Sequence, residues 1–239
     1  MARQHYKVDA QPAFVLHTRP YRETSLIVDV FSRDHGRVSL LARGARRPRS
    51  TLRGLMMAFQ PLELNWSGKS EVKTLMHAEW QGGQPLLAGH ALFCGFYLNE
   101  LLLNLLPRED AHPRLYEAYV LALKRFAHGI EEADLRRFEK ALLLELGYGL
   151  RLEKDAEGSP VDPAAWYAYD VEAGPLRLEH PDNSNLCVQG KTLLDLAADD
   201  LADARSLAGA KHLMRSLLSH YLGGNPLATR KIFMELQEL

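Results

Sequence analysis

A chain of 239 residues with 46% hydrophobic and 25% charged content has the make-up of an ordinary globular protein, with core enough for one large domain or two small ones. Its two cysteines, Cys94 and Cys187, exclude a disulfide framework and imply a reducing compartment. Met1–Gln11 lacks the apolar run of a secretory signal, and Ala91–Leu106, the most apolar stretch, is broken by Asn99, Glu100 and Asn104 and is too short to span a bilayer. A cytoplasmic protein is expected. The net charge of −1 hides an asymmetry: residues 1–80 carry 13 basic and 7 acidic side chains, a net of +6, and the remainder carries 16 and 23, a net of −7.

The first 80 residues have strand periodicity. Phe14–Thr18, Ser25–Ser32 and Arg37–Ala42 are short runs rich in Val, Ile, Leu and Phe, separated by Arg19-Pro20 and by the turn Asp34-His35-Gly36. Leu62–Trp66 and Glu71–Glu79 follow, joined by Ser67-Gly68-Lys69-Ser70. Such a set of short strands predicts a five-stranded closed barrel, which removes exposed sheet edges. After Gln81-Gly82-Gly83-Gln84-Pro85 the period becomes helical. Helices are predicted at Leu86–Leu106, ending before Pro107, at Leu115–Ala127, and at Asp134–Leu146 with Gly147 as its cap. Residues 153–190 form an irregular insertion with Pro160, Pro163, Pro175 and Pro181 and a small pair of strands, Ala165–Tyr169 against Leu176–Glu179. Helices resume at Lys191–Ala198, Ala204–Leu222 and Thr229–Leu236. The fold class is therefore α+β: an N-terminal barrel domain over residues 1–81 and a mostly helical domain over 82–239.

Most candidate chemistry fails on spacing. Gly68-Lys69-Ser70 resembles the end of a phosphate-binding loop, but the glycine that motif needs five residues earlier is Glu63. The ten histidines show no metal-ligand spacing, and no nucleophile elbow or acid–base carboxylate pair stands out. No catalysis and no cofactor are expected.

One segment is different. Between His35 and Leu62 lie six arginines, Arg37, Arg43, Arg46, Arg47, Arg49 and Arg53, and no acid. A basic segment on a barrel suggests phosphate contacts with nucleic acid, since several Arg contacts are rewarded by counterion release. The alternative is a solvated loop. Lys69 and Lys73 lie at or after the last hairpin and join the candidates. Tyr21, Phe31, Phe59 and Trp66 are the rings that could stack on bases, with core packing as the alternative for each and Tyr21 as the most exposed. Lys211 and Arg215, four apart on one helix, form a second candidate contact on an otherwise acidic body.

Phe14–Ser25, Gly36-Arg37-Val38 with Ala42–Arg47, Tyr97–Leu102, Leu135–Glu139, Leu146–Gly149 and His220–Gly223 form a set of motifs in order and spacing from about Ala13 to Phe233. Together they resemble the RecO family of recombination mediators. The resemblance implies an N-terminal OB-fold and a helical C-terminal domain. It implies a protein that binds single- and double-stranded DNA, anneals complementary strands, and acts with RecR and single-stranded-DNA-binding protein (SSB) to load RecA during repair, near the nucleoid. It further implies a site for the acidic SSB tail, for which Arg136 and Arg137, beside the apolar side of their helix, are the candidates, with Arg137 preferred. Some members carry a cysteine zinc site in the irregular segment. Leu152–Pro160 has no cysteine here, so no zinc is expected. An RNA-binding OB-fold adaptor and a DNA-processing enzyme with a composite active site remain as readings of other classes.

Overall fold

The computed structural model describes residues 6–129, 132–181 and 186–237, with side chains through residue 232. Two compact units divide the chain: residues up to Gly129 together with those from Leu227, and residues from Ile130 to Pro226. The strands of the first unit are β1 (Lys7–Tyr21), β2 (Ser25–Ser32), β3 (Gly36–Ala42), β4 (Leu62–Ser67) and β5 (Val72–Trp80), and they close in the order β1-β2-β3-β5-β4. A short helix, α1 (Leu52–Leu55), lies between β3 and β4. Alternation fills the barrel with Val15, Val28, Val30, Val38, Leu40, Leu62, Leu64 and Trp66, because successive strand residues face opposite sides. β1 is longer than the expected Phe14–Thr18, running through both Pro12 and Pro20. Its first half pairs with β4 and its second half with β2.

Three helices complete this unit: α2 (Gly89–Leu105), α3 (Pro113–His128) and α7 (Ala228–Gln237). α3 begins on Pro113, whose missing N–H would be unpaired there in any case. The outer face of β1 and β2 is covered: Phe14 and Phe31 pack on Tyr116 and Tyr119 at 5.3–5.9 Å between ring centroids. Asn99, buried on α2, donates to the Leu16 carbonyl at 2.9 Å and accepts from the Tyr119 hydroxyl at 2.6 Å. The Glu100 carboxylate accepts from the backbone N–H groups of Ala228 and Thr229 and from the Thr229 hydroxyl. The first turn of α7, where N–H groups lack helical partners, is thus capped from α2.

The second unit holds α4 (Glu132–Glu145), α5 (Gly190–Ala197) and α6 (Ala204–Tyr221), with a three-stranded sheet in the order β7-β6-β8. β6 (Trp166–Asp170) and β7 (Gly174–Leu178) are the expected pair; β8 (Cys187–Gln189) adds a third strand that periodicity over three residues could not reveal. Residues 182–185 of the predicted insertion lie outside the described residues. Asp203 caps α6 by accepting from the Arg205 N–H at 2.9 Å. On α4, Arg136 pairs with Glu139 at 2.8 Å, both buried. Lys140 reaches the last carbonyls of α5, Leu196 and Ala197, and the Asp199 carboxylate, where the helix end attracts a cation.

Candidate nucleic-acid interface

Strand register gathers the basic side chains at one end of the barrel. Pro20 pairs with Leu26 and Leu26 with Ala42, so the end of β1, the start of β2 and the end of β3 lie side by side. The chain leaves β3 through Arg43 and Gly44. Gly44 adopts φ +68, a left-handed conformation that glycine tolerates, and its N–H meets the Ser25 hydroxyl. The next residues are pinned to the β1–β2 turn: the Arg46 N–H donates to the Thr24 carbonyl at 2.8 Å, and its guanidinium donates to the Arg22 carbonyl at 3.2 Å. Further turns, Arg47 N–H to Gly44 and Ser50 N–H to Arg47, carry the chain into α1.

Arg43, Arg46, Arg47, Arg49 and Arg53 are all exposed. Two more exposed arginines from outside the His35–Leu62 segment, Arg19 and Arg22, join them through the β1–β2 register. Glu23 is the single acid of that turn. Seven guanidinium groups around one barrel end create a field that attracts a polyanion and is weakened by salt. The adjoining sheet surface is partly open. Arg19, Ile27, Leu41 and Thr74 are cross-strand neighbours in one row over β1, β2, β3 and β5, and each is at least partly exposed.

Several expected members lie elsewhere. Arg37 stands at the other end of β3 and turns inward: its guanidinium donates to the Leu103 carbonyl in the last turn of α2 at 2.6 Å, and burial, with Arg108 nearby, lowers its pKa. It anchors the helix end and leaves the exposed group. Lys73, grouped with Lys69 by sequence, is buried and pairs with Glu109. Lys69 is exposed in the β4–β5 turn, yet β5 pairs in parallel with β3 from Ser39 onward, so this turn lies toward the end of β3 away from Arg43. Of the proposed stacking rings, Phe31 and Trp66 are wholly buried and Phe59 nearly so. Tyr21 is half-buried, with the Arg22 guanidinium 5.3 Å from its ring centroid.

In the second unit, Lys211 and Arg215 are exposed on α6, a helix without acids, and Lys211 meets Glu132 at 2.5 Å. Arg136 is buried in its pair with Glu139, which corrects its place among surface candidates. Arg137 keeps partial exposure and is held by Asp134 at 2.8 Å and by the Asp199 carbonyl. The segment around Asp155 does not fit zinc. Asp155 is buried, its carboxylate accepts the N–H groups of Glu157 and Ser159, and the nearest sulfur in sequence is Cys187 on β8. Among the described residues no group of three or more His, Cys, Asp or Glu could hold a metal ion, and no helix is long and apolar enough to cross a membrane.

Residues 8–83 match the family described as recombination protein O N terminal, and residues 86–231 match recombination protein O C terminal. The chain is 62% identical over 237 residues to the DNA repair protein RecO of Dechloromonas aromatica, covering 98% of both chains. It is 57% identical to that of Aromatoleum aromaticum, covering 99% of both. It is 50% identical to that of Burkholderia pseudomallei, covering 98% of this chain and 86% of the relative. By full-length identity and by both halves, the chain belongs to the RecO family of DNA repair proteins.

Proposed function

We propose that the chain is a non-catalytic recombination mediator. In this reading residues 1–81 form the domain that binds single- and double-stranded DNA. The protein anneals complementary strands and, with RecR, helps load RecA on DNA coated by SSB. It works in the cytoplasm at the nucleoid. The observation that carries the proposal is the cluster of seven exposed arginines at one barrel end, in a chain of the RecO family. Phosphate contacts fix a protein on DNA without reading sequence, as a mediator acting on any gap requires. Lys69, and Lys211 with Arg215 on α6, are accessory contacts in the same reading.

Annealing of complementary oligonucleotides coated with SSB tests the mediator role, with the Arg46→Ala, Arg47→Ala double variant as comparison. The variant is expected to bind unrelated DNA sequences with equally reduced affinity. The slope of log K against log salt should fall in magnitude by about 1–2 units. An unchanged slope would return the segment to a solvated loop. Turnover of DNA with Mg²⁺ would favour the enzyme reading, and equal affinity for RNA of the same length the adaptor reading.

The second unit is proposed to bind the SSB tail at Arg137, the partly exposed one of the two α4 arginines, whose guanidinium would exchange its contact with the Asp199 carbonyl for a terminal carboxylate beside an apolar surface. Arg137→Ala should weaken a fluorescent tail peptide by about ten- to hundredfold, as loss of one charge-assisted contact costs about 1.5–3 kcal/mol. Equal binding by both proteins would remove Arg137 from the site.

A further inference from the structure

We infer that Trp80 is the base-stacking platform of the arginine end, the residue by which that end tells a single strand from a duplex; this rests on the DNA-binding reading above. β5 runs parallel to β3, with Thr74 beside Leu41, so the residues after Thr74 travel toward the end of β3 from which the arginine loop departs. Trp80 is the last of them. Its antiparallel partner is Leu62, the first residue of β4, and the chain comes to Leu62 from α1, which itself lies against β5. The arginine loop thus leaves the neighbour on one side of β5 and enters the neighbour on the other, with Trp80 at the strand end between them.

Opposed residues of a ladder share a sheet face, and Leu62 is buried in the barrel core. Trp80 is on that same face yet 55% exposed, so it stands past the packed core, at the rim of the barrel mouth. Its indole N–H donates to the Gln60 side chain at 3.1 Å, which satisfies the one polar group of the ring and holds its orientation. A ring fixed in advance loses little freedom when a base stacks on it. The outer face of the same strands is acidic. Glu63 and Glu79 are directly opposed there, which repels a phosphate chain and favours the arginine side. His17, exposed two residues before Arg19, offers a smaller ring, and Tyr21 is engaged by the Arg22 guanidinium.

The two kinds of contact discriminate differently. Phosphates are common to single strands and duplexes, so the arginines accept both. The faces of duplex bases are covered by their neighbours in the stack, whereas a single strand can turn a base onto Trp80. At a gap, Trp80 adds affinity only where the strand is unpaired.

The test measures binding of the full-length protein and of Trp80→Ala to an oligothymidylate, and to a duplex of equal length with both ends closed by flexible linkers, at low salt. Trp80→Ala should lose about five- to hundredfold in affinity for oligothymidylate, the range for one stacked base, and stay within about twofold on the duplex. Trp80→Phe, which keeps a flat ring, should recover most of the loss. Oligothymidylate should also quench the tryptophan emission of the wild type and much less that of Trp80→Phe, a readout that a purely structural role would not move. Unchanged affinity of Trp80→Ala for oligothymidylate, or an equal loss on both DNAs, would overturn the inference while leaving DNA binding intact. Absence of binding of either DNA to the wild type would overturn the DNA-binding reading and the inference with it.

Discussion

Alanine in place of Gly36 is expected to lower the stability of the barrel unit by about 3 kcal/mol, seen as a drop in its thermal midpoint of about 8 °C. Gly36 closes the β2–β3 turn at φ +62, and a Cβ there would lie 1.8 Å from the Asp110 carbonyl oxygen. Backbone cannot stand that close, so the connection from α2 to α3 must move away. That connection is tied to the barrel at several points. The Glu109 N–H donates to the Arg37 carbonyl, the Glu109 carboxylate pairs with Lys73, and Arg37 holds the end of α2. Displacing it strands a buried ammonium group, which adds to the roughly 1–2 kcal/mol of the left-handed conformation itself. Gly83→Ala is the control: it shares a positive φ of +80 but has nothing within 4 Å of the added carbon. Calorimetry should show a clear gap between the two variants; equal losses would mean that the close approach to Asp110 does not exist.

Glu139→Ala should cost the second unit about 3–5 kcal/mol, the usual effect of removing one member of a buried ion pair. Glu139 is fully buried and Arg136 is 8% exposed, at 2.8 Å, so the arginine would be left charged in a place water does not reach. Replacing both residues together, Arg136→Met with Glu139→Leu, should restore much of the loss, because packed apolar groups of similar volume do not require charge compensation. Urea unfolding followed by a signal from the second unit measures both. A double variant as unstable as Glu139→Ala would show that the cost arises from packing instead of the uncompensated charge.

The physical difference between local and distant information explains what could be read from the residues. The Asp34-His35-Gly36 turn and β2 were legible because a left-handed glycine and a run of β-branched residues are local signals. The barrel followed from counting such runs, and its closed order agrees. The bounds of β1 were not legible. Prolines at 12 and 20 look like breaks, yet both have places in the antiparallel ladders with β4 and β2. The arginine cluster was found through its density in sequence, and this same criterion misjudged its membership. Arg37 is near in sequence and turned into the fold, whereas Arg19 and Arg22 are far in sequence and brought alongside by strand pairing. Phe31 and Phe59 took the core packing weighed for them, but no local rule says which element, here α3, covers Phe31.

The capping of α7 by Glu100 bears on how the molecule emerges from the ribosome. The two partners are 128 residues apart, and the whole second unit is synthesised between them. The first unit therefore cannot finish folding in the order in which it is made. Its barrel can close early, but the α2 surface that receives α7 must wait until residue 228 has left the exit tunnel. During that interval the second unit behaves as an insertion within an incomplete host, and the nascent chain carries an unfilled docking place that only its own later residues complete.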